Sequence, residues 1–247
     1  MGFEQDFSRV DRAVDGIEMA AVITTEFHTI PIIFENDDLI AVDKPENLAS
    51  IPERNREKIS LLKILSDTLQ RKFFVVHRLD KQVSGVILFA KNPETHRHLN
   101  LQFEQRKVHK TYMALVHGAV EGDAGVIETP LRRFGSGRMG EDRERGKPCR
   151  TEFSVEERMP GYTLARVNPL TGRKHQIRAH FFSIGHPVVG DALYGDKSLQ
   201  KTFPRLMLHA LSIRFRSAAG DEIQIESPAA QSFCRMLSIF RSKTRPK

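Results

Sequence analysis

The sequence contains few cysteines and no long run of apolar residues. Its two cysteines, Cys149 and Cys234, stand far apart in the chain, so we expect neither a disulfide framework nor a cysteine-based zinc site. No apolar stretch reaches the length that crosses a bilayer, and the first residues are too acidic for a signal peptide. We therefore expect a cytoplasmic protein that does not enter a membrane.

The sequence also lacks internal repeats and the spacing of a metal site. His175, His180 and His186 lie close together in the chain, but no acidic residue or cysteine accompanies them at ligand spacing. We therefore expect no bound metal.

Positive charge is what the sequence has in excess. Its 247 residues include 38 Lys and Arg against 31 Asp and Glu, a formal charge of +7, which favours a polyanionic partner. Between residues 132 and 150 the cations alternate with glycines, and they are Arg132, Arg133, Arg138, Arg143, Arg145, Lys147 and Arg150. This composition predicts a segment that buries no core. Two interpretations remain open: a loop that follows a phosphate backbone, or a solvated loop without a ligand.

The apolar pattern predicts strand hairpins with inserted helices. Residues 31–34 and 39–42 bracket a polar turn, and residues 60–69 carry leucines at helical spacing. Asn92 and Pro93 form a cap and first turn for a helix through Gln105, and residues 229–240 form a closing amphipathic helix. The absence of regular strand-helix alternation indicates an α+β fold on a mixed, mainly antiparallel sheet.

The most informative segment is His77-Arg78-Leu79-Asp80, which lies between two short apolar runs. A carboxylate in a break between two strands is held in place while it still faces a cleft, as a catalytic acid requires. An ionised carboxylate there also needs a partner. Asp80 is therefore either a functional group or half of an ordinary ion pair with Arg78 or Lys81.

A second polar segment, residues 171–180, follows the predicted strand 162–167 and opens a predicted helix through Ile184. Arg173, Lys174 and Arg178 gather near the helix start, where backbone N–H groups favour an anion. On these residues alone, the segment is either a phosphate-binding turn or a basic helix terminus.

Together, these motifs resemble those of the RluA-like pseudouridine synthases, which isomerise uridine in ribosomal and transfer RNA. The resemblance extends from about Pro31 to Pro228 and rests on the order of its motifs. These motifs are residues 40–48, 77–85, 110–118, 146–153, 171–180, 190–195 and 208–210.

The resemblance implies a role for several side chains. Asp80 would be the catalytic aspartate, Tyr112 the aromatic that stacks on the target base, and Arg178 the partner that keeps Asp80 ionised. Arg78 would fill the space left by the uridine once it is flipped out of its stack. Further contacts to RNA are expected from Arg132, Arg133, Lys147, Arg173 and Lys174.

The resemblance also implies a bent central sheet with flanking helices and an active cleft across its middle. We expect an N-terminal extension (1–26), a catalytic domain (27–240) and a basic tail (241–247), in a monomer that needs no cofactor. Two positions depart from the family pattern. Val83 replaces a common Thr, and Asn47 replaces a common Gly, whose left-handed backbone conformation Asn tolerates.

Two other functions fit parts of this pattern. A non-catalytic RNA-binding protein on the same fold would use the cations alone, but it would have no use for a carboxylate near phosphates. An RNA glycosidase would use similar carboxylate chemistry and release free uracil. The isomerase is the main hypothesis, because it accounts for Asp80, Tyr112 and Arg178 together.

Overall fold

The computed structural model describes residues 10–11, 21–26, 28–52 and 59–242. They form an α+β fold, as predicted. The strands are β1 (Val10–Asp11), β2 (Val22–Thr24), β3 (Thr29–Glu35), β4 (Leu39–Lys44), β5 (Phe74–Val75), β6 (Ser84–Ala90), β7 (His109–His117), β8 (Ala124–Ile127), β9 (Leu131–Arg133), β10 (Met139–Glu141), β11 (Thr151–Met159), β12 (Tyr162–Pro169), β13 (Leu208–Arg216) and β14 (Glu222–Glu226). The helices are α1 (Leu61–Thr68), α2 (Pro93–Glu104), α3 (Gln176–Ser183), α4 (Lys197–Gln200) and α5 (Gln231–Ser242).

The chain divides into two compact units. The first comprises the residues up to Lys107 together with Arg214–Ser227, and the second comprises Val108–Ile213 and the residues from Pro228 onward. Strand β13 contributes its first part to the second unit and its last three residues, 214–216, to the first.

In the first unit, strands β1 to β4 pair in sequence, and β6 pairs with both β4 and β5, all antiparallel. The predicted β3–β4 hairpin is confirmed. Its turn is closed by the Asn36 side-chain oxygen, which accepts hydrogen bonds from the backbone N–H of Asp38 and Leu39. Strand β6 is buried at every residue, which explains its continuous apolar sequence.

Both predicted helices of this unit are confirmed, and each begins at a polar cap. The Ser60 side chain accepts from Lys63 N–H at the start of α1. The Asn92 side chain accepts from Thr95 N–H, 2.8 Å away, at the start of α2, with Pro93 in the first turn. These caps satisfy N–H groups that have no partner within the helix.

In the second unit, the strands pair in the antiparallel order β7, β12, β11, β8, and β13 lies beside β7. Helix α5 packs Phe233, Leu237 and Phe240 into a buried cluster that includes Leu115 and Leu164. This confirms the predicted closing helix, which ends at Ser242.

The predicted terminal segments are described only in part. Residues 1–9 and 12–20 of the predicted extension, and 243–247 of the predicted tail, lie outside the described residues. Within the extension, β2 pairs with β3 of the predicted catalytic domain. The three-part division of the chain stays a prediction.

Candidate active site

Asp80 lies in the loop between β5 and β6, so the predicted strand-loop-strand arrangement is confirmed. Its side chain is half-buried, whereas that of Arg78 is exposed. Asp80 O accepts a hydrogen bond from Val83 N, 3.0 Å away, which turns the chain directly into β6.

Side chains from earlier in the chain hold the backbone on both sides of Asp80. The Ser50 hydroxyl donates to Leu79 O at 2.8 Å and accepts from Leu79 N at 3.1 Å. The ammonium of Lys44, whose side chain is fully buried, donates to Lys81 O at 3.2 Å. The backbone that carries Asp80 is therefore held at its neighbours on either side.

Lys44 also connects this loop to the turn after β4. Its Nζ donates to Pro45 O and Leu48 O, each at 2.8 Å. Neither Lys44 nor Ser50 was predicted from the sequence to have a role. A lysine two residues after the apolar run Ile40–Val42, directly before a proline, was the available signal, because a buried ammonium must be hydrogen-bonded.

His77 supports the loop and is not placed as a proton carrier. Its Nε2 accepts from Leu88 N at 3.0 Å, and its ring stacks on Phe103 with centroids 5.2 Å apart. Because this imidazole nitrogen accepts a hydrogen bond from a backbone amide, it has a structural role in the loop.

The structure describes both departures from the family pattern, Asn47 and Val83. Asn47 has a φ of 65°, so the predicted left-handed conformation is confirmed. Val83 is buried. Its second methyl group, which stands where Thr would have a hydroxyl, therefore adds no apolar surface to the exterior of the protein.

Tyr112 lies on β7, opposite Val167 of β12, and is half-buried. Lys110 precedes it by two residues, so both side chains lie on the same face of the strand. The Lys110 ammonium donates to Thr171 O at 3.4 Å, and burial lowers the pKa of Lys110 to about 8. This amine therefore loses its proton far more readily than an exposed lysine.

Arg178 lies on α3 and is buried in an ion pair with Asp191. Its Nε and Nη2 lie 2.6 and 2.8 Å from the two carboxylate oxygens, a bidentate geometry that fixes the guanidinium plane. Asp191 Oδ1 also accepts from the backbone N–H of Leu193 and Tyr194. Asp191 belongs to the motif 190–195, for which no role was predicted from the sequence.

The predicted pairing of Arg178 with Asp80 would join the two units and stays a prediction, as do the catalytic roles of Asp80, Tyr112 and Arg178. Within the second unit, the Arg178 guanidinium lies 5.2 Å from the centroid of the Tyr194 ring. Arg178 is therefore held by a carboxylate on one side and an aromatic ring on another.

Gln176 organises the start of α3. Its side-chain oxygen accepts from the Thr171 hydroxyl at 2.7 Å and from Arg173 N at 3.0 Å. Its Nε2 donates to Arg150 O and the Thr151 hydroxyl. The Arg173 N–H, one of those expected to attract an anion, is thus bonded within the protein, while the Arg173 and Lys174 side chains are exposed. Their predicted contact with RNA remains a prediction.

The segment 131–147, here called the basic hairpin, pairs β9 with β10. The expectation that residues 132–150 bury no core is wrong, because Met139 and Cys149 are buried in a cluster with Leu131, Ala179 and Tyr194. The Tyr194 hydroxyl accepts from Met139 N at 2.8 Å. Leu131 on β9 and Met139 on β10 therefore anchor the basic hairpin to the core, although its average composition is typical of a loop.

The histidines considered as metal ligands have other partners. His180 bonds through Nδ1 to the Thr151 hydroxyl at 2.8 Å and through Nε2 to Thr129 O at 3.0 Å, and burial lowers its pKa. His175 Nδ1 lies 3.0 Å from the Tyr194 hydroxyl. In the described part of the chain, no group of three His, Cys, Asp or Glu is placed to hold a metal ion. Nor does any helix there have the length and apolar character to cross a membrane.

Comparison with known proteins defines the class of this protein. Residues 38–183 match the family described as RNA pseudouridylate synthase. The chain is 39% identical over 191 residues to the dual-specificity RNA pseudouridine synthase RluA of Vibrio vulnificus, covering 74% of this chain and 76% of that protein. It is 36% identical over 224 residues to the ribosomal large subunit pseudouridine synthase C of Pasteurella multocida, covering 86% and 68%.

Solved structures agree with this result. Human RNA pseudouridylate synthase domain containing 1 superimposes with a TM-score of 0.71 at 26% identity, covering 88% of this chain and 97% of that one. The fold and the matched motifs are those of enzymes that modify RNA by isomerising uridine. The chain belongs to the RNA pseudouridylate synthase family and is an RluA-like member of it. It is an RNA pseudouridine synthase, and its substrate is RNA.

Proposed function

We propose that the chain converts specific uridines of ribosomal or transfer RNA to pseudouridine through the carboxylate of Asp80. The observation that carries this proposal is the fixed backbone around Asp80, whose neighbours Leu79 and Lys81 are held by Ser50 and Lys44. A half-buried carboxylate on a rigid loop keeps its position while a substrate approaches. A relative named for the ribosomal large subunit supports ribosomal RNA, and a relative named for dual specificity supports more than one RNA substrate.

The reaction breaks the bond between C1′ and N1 of the uridine, turns the uracil, and joins C1′ to C5. Asp80 either attacks C1′, forming an ester that the uracil then displaces, or removes the proton on C2′. In both routes N1 takes up the electron pair of the broken bond, C5 loses its proton once it is joined to C1′, and N1 gains one. In the second route Asp80 also returns its proton to C2′ when C5 joins C1′, so the atoms balance. Both routes require Asp80 to be ionised.

The other predicted residues serve this chemistry. Arg178 favours the ionised form of Asp80 by its charge, and Tyr112 stacks on the flipped base and relays the C5 proton. Arg78 takes the space that the flipped nucleotide leaves. Arg132, Arg133, Lys147, Arg173 and Lys174 bind the RNA backbone.

The decisive experiment compares Asp80→Asn with wild type on RNA from cells that lack the gene. We expect the variant to keep its fold and its RNA affinity but to form no pseudouridine, because an amide neither attacks C1′ nor removes a proton. The product is detected by carbodiimide labelling, at unchanged RNA mass. A matched control is Asp67→Asn, in which the carboxylate that pairs with Lys63 on α1 is removed instead.

Each outcome selects one function. Activity in Asp80→Asn would remove this residue from the mechanism. Loss of RNA mass in the wild-type reaction would indicate a glycosidase, and no change in the RNA would indicate a binding protein. Mapping pseudouridines with and without the gene identifies the RNA and the position.

Tyr112 is tested by separating its ring from its hydroxyl. Tyr112→Phe keeps the stacking surface, so RNA binding should change little, whereas Tyr112→Ala should weaken it. If neither substitution altered turnover, the proposed role of Tyr112 would be wrong. The cytoplasmic location, the monomeric state and the absence of a cofactor also stay predictions. They are tested by fractionation, by light scattering, and by assaying the purified protein in the presence of a chelator.

A further inference from the structure

The basic hairpin and α3 enclose a pocket with a volume of about 400 Å³. This size lies in the range of pockets that hold small ligands, about 300–1,000 Å³. Its walls include Phe134 and Phe182, which are 40% and 42% exposed although they are large apolar rings. Neither Tyr112 nor Arg178 lines the pocket, so it is not the site assigned above to the reacting base.

Arg138 forms a charged wall of this pocket. Its guanidinium lies 4.4 Å from the centroid of the Phe182 ring and 5.0 Å from that of Tyr194. Within the described residues no carboxylate pairs with Arg138. Two aromatic contacts hold the guanidinium in place without neutralising it, so its charge stays available to a ligand.

Phe134 is positioned by the glycine opposite it. A Cβ added at Gly140 would lie 2.9 Å from Phe134 Cε2, so the ring rests against bare backbone. Arg132 covers the ring, with its guanidinium 4.9 Å from the ring centroid. The hairpin therefore presents an ordered aromatic ring at its tip.

Only some of the positively charged side chains of the basic hairpin pair with a carboxylate. Arg132 pairs with Asp142 at 2.7 Å and Arg143 with Glu141 at 2.8 Å. Arg133 and Lys147 are exposed and form no ion pair with a carboxylate in the described part of the chain. The surface that surrounds the two exposed rings is thus positive, which suits a polyanion.

We propose that this pocket binds an unpaired base of the substrate RNA, other than the uridine that reacts. The proposal rests on the RNA-modifying function given above. Exposed rings with an arginine plane are the surface on which single-stranded RNA stacks its bases. Ser136, Ser183 and Glu141 supply hydrogen-bond donors and acceptors for the edge of a base. A free phosphate would use the cations but would leave the two rings uncovered.

The first experiment uses the lack of tryptophan in this chain. Phe182→Trp keeps an aromatic ring and introduces the sole indole, whose fluorescence a stacked base quenches. We expect saturable quenching by single-stranded oligouridylate and oligoadenylate, and little by an RNA duplex of equal length or by inorganic phosphate. Leu199→Trp is the matched control, because Leu199 is an exposed apolar residue of the same unit outside the pocket.

The second experiment measures affinity for the same oligonucleotides. Phe182→Ala should weaken binding by about 5- to 100-fold, the usual effect of removing one stacked base contact. Gly140→Ala should act in the same direction, since it displaces the Phe134 ring without changing any charge. Leu199→Ala should leave affinity unchanged.

These binding measurements do not depend on turnover, so they also hold in the Asp80→Asn background. Failure of the proposed chemistry would therefore leave this test intact. Equal quenching in Phe182→Trp and Leu199→Trp would overturn the proposal. So would equal quenching by the duplex and the single strand, and so would wild-type affinity in Phe182→Ala, provided that thermal melting shows the variant to be folded.

Discussion

Asp80 and Arg178, the two charged groups assigned to the chemistry, are held in opposite ways. The Asp80 loop is fixed through its backbone, by Ser50 at Leu79 and by Lys44 at Lys81, while the carboxylate itself stays half-buried. Arg178 is fixed through its side chain, which is 4% exposed and paired to both oxygens of Asp191.

The difference teaches what each group can do. A carboxylate that meets a substrate must remain accessible, so its position is set by the chain that carries it. A guanidinium that acts on a neighbouring charge can be buried, because its direction is set by a partner carboxylate. Removing the support of Asp80 and removing the support of Arg178 should therefore affect stability and activity differently.

The largest effect is expected from Asp191→Ala, which removes the partner of Arg178 and leaves a buried guanidinium. Removal of one half of a buried ion pair costs about 3–5 kcal/mol in the free energy of unfolding. Denaturant unfolding should show this loss, and activity should fall because Arg178 is no longer oriented.

Asp196→Ala is the control for this prediction. Asp196 caps α4 by accepting from Leu199 N at 2.8 Å, and loss of an exposed cap costs about 1 kcal/mol. Equal destabilisation by the two substitutions would show that Asp191 contributes no more than a helix cap does.

A smaller effect is expected from Lys44→Met, which tests the support of Asp80. The variant keeps an unbranched side chain but loses the bonds to Pro45 O, Leu48 O and Lys81 O. Because hydrogen bonds to charged groups contribute about 1.5–3 kcal/mol each, we expect a net loss of about 2–3 kcal/mol once the ammonium is no longer buried.

The activity of Lys44→Met distinguishes positioning from stability. If Lys44 positions the loop, kcat should fall about 10- to 100-fold at temperatures where the variant is fully folded, with RNA affinity retained. A folded variant with wild-type kcat would limit Lys44 to a structural role.

Lys110 differs from both groups, since it is buried beside a carbonyl oxygen and has no carboxylate partner among the described residues. Burial lowers its pKa from 10.5 to about 8. Between these values the unfolded chain binds the extra proton, so raising the pH from 8 to 10.5 should stabilise the fold. Below pH 8 both states are protonated and the cost of burial is fully present.

The measurement is the difference in unfolding free energy between wild type and Lys110→Met as a function of pH. The free energy of unfolding of wild type should rise by about 2–3 kcal/mol relative to that of the variant across this window, since the shifts of other groups cancel in the difference. A constant difference from pH 7 to 11 would contradict the burial of a charged amine at this site.

The sequence predicted what depends on local pattern. The break between β5 and β6, the helix within residues 60–69, the cap at Asn92 and the closing helix follow from periodicity and cap chemistry, which are local properties. The ordered motifs also identified the family.

The sequence did not reveal the hydrogen-bond and ion-pair partners that are brought together by packing between distant parts of the chain. Asp191 stands thirteen residues from Arg178, and Ser50 stands 29 from Leu79, so no helical or strand period connects them. The basic hairpin was misjudged for a related reason. Its average composition hides Leu131 and Met139, and their burial depends on Ala179 and Tyr194 from later in the chain.

The smallest effect is expected at Asn47, in the turn whose carbonyl groups Lys44 binds. Its φ of 65° costs an ordinary side chain about 1–2 kcal/mol relative to the right-handed region. Asn47→Ala should therefore lower the free energy of unfolding by about 1 kcal/mol, while Asn47→Gly should change it little because the gain in the turn offsets the greater freedom of the unfolded chain. Thermal unfolding of the three proteins measures this. If Asn47→Ala were as stable as Asn47→Gly, the turn would relax without cost, and Asn47 would contribute nothing to the support of Asp80.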